Sequence, residues 1–556
     1  VSESENRKRG VDRRLFLGGL GALAVAGKAG ALAQAGDAGG AAAGGDAAAG
    51  TATQSFELAE VPISELAAGL ASGRWTSKRL VELYLGRIDE VDRGPGGTNS
   101  MAESNPDAFA EAERLDRERK AGHLRGPLHG IPVVLKDNIG TADAMQTTAG
   151  SLAMMDARPA EDASVAARLR EAGALLLGKT NLSEWANIRS TRSSSGWSGR
   201  GGQVHNPYAL DRNPCGSSSG SGVAASASLC AAAVGTETDG SVTCPSSMNG
   251  IVGLKPTVGL VSRTGVIPIS HTQDTAGPMG RTVEDVAILL GGMTGTDVRD
   301  PATAASAGKA AADYRAGLTP DALAGARLGV TRNLFGWHPD VDRQMEDVLR
   351  ALKEAGAVLV DPVELPHVRD YDDSELEVLL YELKHDLNAY LAGLPDHGQP
   401  RTLAALIEFN KAHADREMPF FGQELFEQAQ GKGPLTDDAY VQALEKDGRL
   451  SRTEGLDAAL AKDHLDALVC PSMGPAYLTD WINGDHYGGS ATTPCAVAGY
   501  PHLTVPAGFV HGLPWGVSFL GPAWSEARLL GYGYAFERAT RARRAPTFQA
   551  TLPLAG

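Results

Sequence analysis

Three side chains in this sequence could together attack an unreactive acyl group: Lys136, Ser217 and Ser241. A serine hydroxyl is a weak nucleophile at neutral pH and needs a base to take its proton. No histidine stands in either serine-bearing loop, so the base must be sought elsewhere. Lys136 ends the apolar run Ile131-Pro132-Val133-Val134-Leu135. Burial at the tip of such a run, with donors around it, would hold the amine neutral and let it accept a proton. The plainer alternative is an exposed lysine that happens to end a strand. Ser217 lies in Pro214-Cys215-Gly216-Ser217-Ser218-Ser219-Gly220-Ser221-Gly222, and Ser241 follows 24 residues later at the end of Gly235-Thr236-Glu237-Thr238-Asp239-Gly240-Ser241.

Two other readings of the Gly/Ser segment are weaker. A flexible linker would join domains, but this segment runs directly into a small-residue stretch, about 223–232, that reads as a buried helix. A nucleophile elbow, with Ser218 central in Gly216-Ser217-Ser218-Ser219-Gly220, needs a strand immediately before it. The preceding Asp211-Arg212-Asn213-Pro214 is a turn sequence instead. Ser306-Ala307-Gly308-Lys309 has an SxxK spacing, but its Ala/Gly-rich surroundings offer no apolar flank, so it reads as coincidence.

The elements that must position these residues are legible as α/β layering. Thr76 reads as an N-cap before Leu80, Leu83, Tyr84 and Ile88 at helical spacing. Residues 107–120 read as a charged helix, and 131–136 as a buried strand ending at Lys136. A unit of helix, glycine stop and short β run occurs over 164–178, again over 341–360, and in a weaker copy over 456–470. The region 373–450 is helical, with Ser374 and Glu377 as a capping box, and is expected to cover one side of the sheet.

The bulk numbers exclude some functions. Apolar residues make up 42% and charged residues 21% of the 556, which suits a large buried core. A net charge of −16 argues against nucleic acid as a partner, since a phosphate backbone is held by dense Lys and Arg. The five cysteines are odd in number and form no CxxC pair, so buried free thiols are expected, with neither a disulfide framework nor a cysteine-based zinc site. Arg7, Lys8, Arg9, Arg13 and Arg14, an apolar run of 13 residues over 15–27 and Ala31-Leu32-Ala33 read as a secretory signal over 1–33. Its Arg13-Arg14-Leu15-Phe16-Leu17 string is of the twin-arginine type, which predicts export to the periplasm. The Ala/Gly-rich stretch 34–54 reads as a linker, and 55–556 as one domain. The run is too short to span a bilayer, and no other segment is apolar enough, so no stable membrane association is expected once the signal is removed.

Taken in order, Val133-Val134-Leu135-Lys136-Asp137-Asn138, Gly178-Lys179-Thr180-Asn181, the Gly/Ser loop after Asn213-Pro214, the Gly240-Ser241 string, Gly253-Leu254-Lys255-Pro256-Thr257 and the stretch from Ala498-Gly499-Tyr500-Pro501 to Gly516 resemble the amidase signature family over nearly the whole domain. Longer strings, including Leu182-Ser183-Glu184-Trp185-Ala186-Asn187 and Phe421-Gly422-Gln423-Glu424-Leu425, look like its peptide amidase branch. The resemblance implies a large mixed, twisted β-sheet with helices on both faces. It also implies hydrolysis of a carboxamide through an acyl-enzyme, without metal or cofactor. Ser241 would attack, and Ser217, after a cis peptide bond, would relay protons to and from Lys136. The backbone N–H groups of Thr238, Asp239, Gly240 and Ser241 would hold the oxyanion. The branch implies release of ammonia from C-terminal amides of peptides, with a small or short peptide amide as the substrate partner and the oligomeric state left open. Lys179 and Lys255 are read as structural. Cys215, Ser219 and Asp239 depart from the common pattern, each standing where glycine is usual. The Asp239 carboxylate is placed either to meet a positively polarised substrate group or to cap its loop, and Ser218 is a second candidate contact. Three rivals share the resemblance: the A subunit of glutamyl-tRNA amidotransferase, an esterase, and a non-catalytic periplasmic binding protein. The export signal argues against the first and the intact triad against the last.

Overall fold

The computed structural model describes residues 56–553. The expected signal and linker, 1–33 and 34–54, lie outside the described residues. Thirteen strands are present among those described: β1 (Met101–Ser104), β2 (Pro132–Lys136), β3 (Leu175–Thr180), β4 (Trp197–Ser198), β5 (Gly202–Gln203), β6 (Ala232–Glu237), β7 (Val252–Lys255), β8 (Thr275–Gly280), β9 (Arg327–Thr331), β10 (Val358–Val363), β11 (Ala467–Pro471), β12 (His502–Val510) and β13 (Leu513–Leu520). Apart from the β4–β5 ribbon they form one mixed sheet of 11 strands, ordered β1-β3-β2-β6-β8-β7-β12-β13-β11-β9-β10. β3, β2 and β6 run parallel, as do β11, β9 and β10, and the strands between alternate in direction.

Every residue of β2, β6, β8 and β13 is buried, so both faces of the sheet are covered, as the apolar runs require. Helix-to-strand units supply much of that cover. The helix Ser164–Glu171 stops at Gly173 (φ +84°) before β3, and Pro339–Glu354 stops at Gly356 (φ +97°) before β10. Asp457–Lys462 precedes β11, with His464 (φ +52°) rather than a glycine in the turn. Thr76 caps the helix Ser77–Val91 by accepting from Arg79 N–H at 3.0 Å. At the β10 edge, Asp361 and Pro362 sit within the strand, and Arg332 bridges Asp361 to Glu346.

Two expectations about helices are corrected. The Gly/Ser helix spans Ser219–Ser226, four residues earlier than expected at its start, and residue 232 already opens β6. Gly and Ser are poor helix formers, but all eight residues are buried and packing decides. The long helix Asp372–Gly393 begins before Ser374, whose hydroxyl donates to Tyr371 O (3.0 Å) and caps nothing. Asp372, Asp373 and Glu375 occupy its first turn, where acidic charge opposes the helix dipole. Glu377 pairs with Lys432 instead of closing a capping box. Leu379, Leu383 and Leu387 of this helix pack with Trp185, Ile267 and Ile269, so the helical region covers the loops leaving β3 and entering β8.

Candidate active site

Adjacency in the sheet brings Lys136 and Ser217 into contact and ties the Ser241 loop to theirs through its backbone. β2 and β6 are parallel neighbours, with Leu135 opposite Val234, so Lys136 and Thr236 emerge at the same edge. Ser218 fastens the Gly/Ser loop to that edge: its hydroxyl donates to Thr236 O (3.0 Å) and accepts from Thr236 N–H (3.1 Å). Gly235 makes room for this contact, since a Cβ there would stand 2.6 Å from Ser218 Oγ. Ser218 N–H also donates to Ser241 O (3.1 Å), tying the second serine loop to the first. Ser218 is therefore a fully buried fastener, not the substrate contact expected of it, because both bonding directions of its hydroxyl are used by backbone.

Lys136 is fully buried, and its Nζ lies 2.7 Å from Ser217 Oγ, 2.8 Å from Thr236 Oγ1 and 3.3 Å from Thr236 O. Burial lowers its pKa to about 7, opposed in part by the charges of Asp274 and Glu237. The Gly216–Ser217 peptide is cis. A Cβ on residue 216 would run into Ser183 Oγ, so a larger residue there requires Ser183 or the loop to shift. Ser241 is 7% exposed and lines a pocket with Gly216, Thr238, Asp239 and Gly240.

Several contributors escaped the sequence reading. Thr236 Oγ1 accepts from both Lys136 Nζ and Asn138 Nδ2 (3.0 Å). The buried Glu237 carboxylate accepts from the N–H groups of Val242 (2.8 Å) and Thr243 (2.9 Å), fixing the start of the helix Thr243–Met248 and the bend before it. Among the described residues, the N–H groups of Asp239, Gly240 and Ser241, between those anchors, have no protein acceptor. Asp274 receives Thr238 Oγ1–H (2.6 Å) and two backbone N–H groups, and burial raises its pKa to about 6. The only available signal was position, since Thr236 and Glu237 lie in the Gly240-Ser241 string and Asn138 lies two residues after Lys136.

Asp239 serves its loop and faces the pocket at once. Its Oδ2 accepts from Thr493 Oγ1 (2.7 Å), while its buried Oδ1 has no partner among the described residues. Burial raises its pKa to about 6 against the hydroxyls of Thr492 and Thr493. Lys179 and Lys255 are structural. Lys179 Nζ donates to Ile139 O, Gln146 O and Thr147 Oγ1, and Lys255 Nζ to Pro256 O. Lys309 of the SxxK string is exposed, and Ser306 Oγ donates to Thr303 O.

The cysteine expectation is overturned in part. Cys215 and Cys244 form a disulfide, while Cys230, Cys470 and Cys495 are buried free thiols. The separation of 29 positions between Cys215 and Cys244 hides the pairing, but both serine loops close on one pocket and bring the two Cα atoms to 6.0 Å. Both half-cystines line that pocket. Its wall continues in Tyr487, whose hydroxyl is held by Ser195 Oγ (2.9 Å) and Asp485 Oδ2 (3.0 Å).

A buried lysine against one serine, a second serine at the pocket and a row of backbone donors on a large mixed sheet define an amidase-type hydrolase. The chain belongs to the Amidase family, whose model matches residues 79–530, and it is an amidase. The native peptide amidase of Stenotrophomonas maltophilia is 50% identical, with a TM-score of 0.85 over 89% of this chain and 99% of that one. A probable amidase of Arabidopsis thaliana is 39% identical over 90% of this chain and 95% of its own length. The A subunit of glutamyl-tRNA(Gln) amidotransferase from Halorhodospira halophila is 35% identical over 86% and 97%.

Proposed function

We propose that this amidase hydrolyses the C-terminal carboxamide of peptides, releasing ammonia and a free peptide acid. The observation that carries the mechanism is the 2.7 Å contact of a fully buried Lys136 amine with Ser217 Oγ. A neutral amine has two N–H groups and one lone pair. Thr236 Oγ1 and Thr236 O take the two N–H groups, which turns the lone pair to the Ser217 hydroxyl. Lys136 takes the Ser217 proton as Ser217 takes that of Ser241, and Ser241 Oγ attacks the amide carbon. The N–H groups of Thr238, Asp239, Gly240 and Ser241 stabilise the oxyanion, each contributing about 3 kcal/mol. The proton returns through Ser217 to the departing amine. Water then opens the Ser241 acyl-enzyme by the same path. Asp239, on the pocket wall, favours a positively polarised group of the substrate.

The 50% identity to a peptide amidase supports the choice of substrate. The test is ammonia release across peptide amides, amino acid amides, aryl amides and esters. Peptide amides should give the highest kcat/KM; preference for aryl amides or esters would overturn the peptide assignment. Ser241→Ala should abolish ammonia release with an unchanged melting temperature, and residual turnover at the parent rate would remove Ser241 from its role.

Residues 1–33 act as a twin-arginine signal in this reading, delivering the enzyme to the periplasm. A disulfide beside the active site fits an oxidising compartment. Cell fractionation of the protein with Arg13 and Arg14 intact or both replaced by Lys tests this, and a purely cytosolic parent protein would defeat it.

A further inference from the structure

Away from the pocket, two histidines and a carboxylate converge where the loop before β8 meets the helix Asp372–Gly393. Asp386 Oδ2 lies 2.8 Å from His271 Nδ1, and Asp386 Oδ1 lies 2.8 Å from His385 Nδ1. One donor atom from each of the three lies within 4.8 Å of the other two. The His271 and His385 side chains are 41% and 59% exposed, so an ion in solution can reach them. None of the three lines the active-site pocket.

We propose that His271, His385 and Asp386 form a binding site for a divalent transition metal, with zinc the best match. Two imidazoles and a carboxylate suit an ion of intermediate softness, and three protein ligands leave one position for water. In a tetrahedral site with bonds of about 2.0–2.1 Å, donors stand roughly 3.3 Å apart. The two carboxylate–imidazole separations need to open by about half an ångström, and the imidazole nitrogens, within 4.8 Å of each other, must settle at the same spacing.

The surroundings of His271 are those of a ligand. Its Nε2 faces Glu382 Oε1 at 3.3 Å, and that carboxylate is fully buried. When Nδ1 binds the metal, the ring proton moves to Nε2 and is received by Glu382, an outer carboxylate that fixes tautomer and ring orientation. Glu382 is itself held by Ser270 Oγ, Thr272 Oγ1 (3.0 Å) and Tyr440 OH (2.7 Å). Asp386 also receives the backbone N–H of His271 at 3.0 Å, which sets the loop in place before any ion arrives. His385 needs only a side-chain rotation at an exposed position.

The ion would clip the loop 263–274 to the helix. Glu375, Leu379, Glu382 and Asp386 fall on one stripe of that helix. Along it, Glu375 holds Gln273, Leu379 lines the pocket, and Glu382 and Asp386 hold the loop residues 270–272. Metal binding therefore braces the element that carries Ile269 into the pocket wall.

The experiment is calorimetric titration of the full chain with zinc chloride, paired with thermal melting. The parent protein should take up one equivalent and melt at a higher temperature with zinc. His385→Ala, at an exposed position, should bind at least about tenfold more weakly and lose the thermal shift, while releasing ammonia at the parent rate. Asp386→Asn, which keeps the side-chain volume, should weaken binding likewise. No uptake by the parent, or uptake unchanged in His385→Ala, would overturn the site.

Discussion

Residue 136 is where the chemistry is most exposed to test. Its pKa near 7 arises from burial, which disfavours the charged amine, so on the proposed mechanism activity should follow the neutral fraction. The logarithm of kcat/KM should climb with unit slope below pH 7 and level off above it. A flat profile from pH 5.5 to 8.5 would take the base role from Lys136. Lys136→Ala should lower kcat by about 10²–10⁴-fold and remove this limb. Stability has the opposite stake in the same residue. The unfolded lysine titrates near 10.4, so between about 7 and 10 the unfolded chain binds the extra proton and stability rises with pH. Lys136→Met should therefore melt at a higher temperature than the parent at pH 7, with the difference shrinking toward pH 10. The Lys136–Ser217 contact and the place of Ser241 at the pocket were legible in the sequence because lysine at a strand tip and serines in tight loops are unusual placements. Thr236 and Glu237 were not, since threonine and glutamate occur in strands for many reasons and only coordinates show what they hold.

Elements set the alignment. The parallel pair β2 and β6 places amine and loop on one edge, and the helix Ser219–Ser226 begins two residues after Ser217. Gly216 is a tight point, because a Cβ there would run into Ser183 Oγ. Gly216→Ala should reduce kcat/KM at least about tenfold, since the added Cβ displaces the loop that carries Ser217 and also lines the pocket. Equal kcat/KM in the variant would show that the loop yields without disturbing the relay. The layering of helices and strands was readable from apolar runs and glycine stops. The start of the Gly/Ser helix was not, because a buried site imposed helix on residues with little preference for it.

At the scale of the whole molecule, the Cys215–Cys244 bond joins the two serine loops and closes a 29-residue separation. Loop-closure entropy assigns such a link roughly 3–4 kcal/mol of stability. The double variant Cys215→Ser, Cys244→Ser should melt several degrees lower and lose activity before it unfolds, as should the parent under reducing agent. Melting and activity that ignore reductant would mean the link adds nothing. An odd cysteine count with no short spacing concealed it, because spatial proximity of two loops is a property of the closed fold. The sheet also ends deliberately on its β10 side. Pro362 has no N–H to offer a neighbouring chain, and the charged Asp361, Arg332 and Glu346 surround it. A strand of a second molecule meets a missing donor and paired charges on that margin, which disfavours edge-to-edge stacking there in concentrated solution.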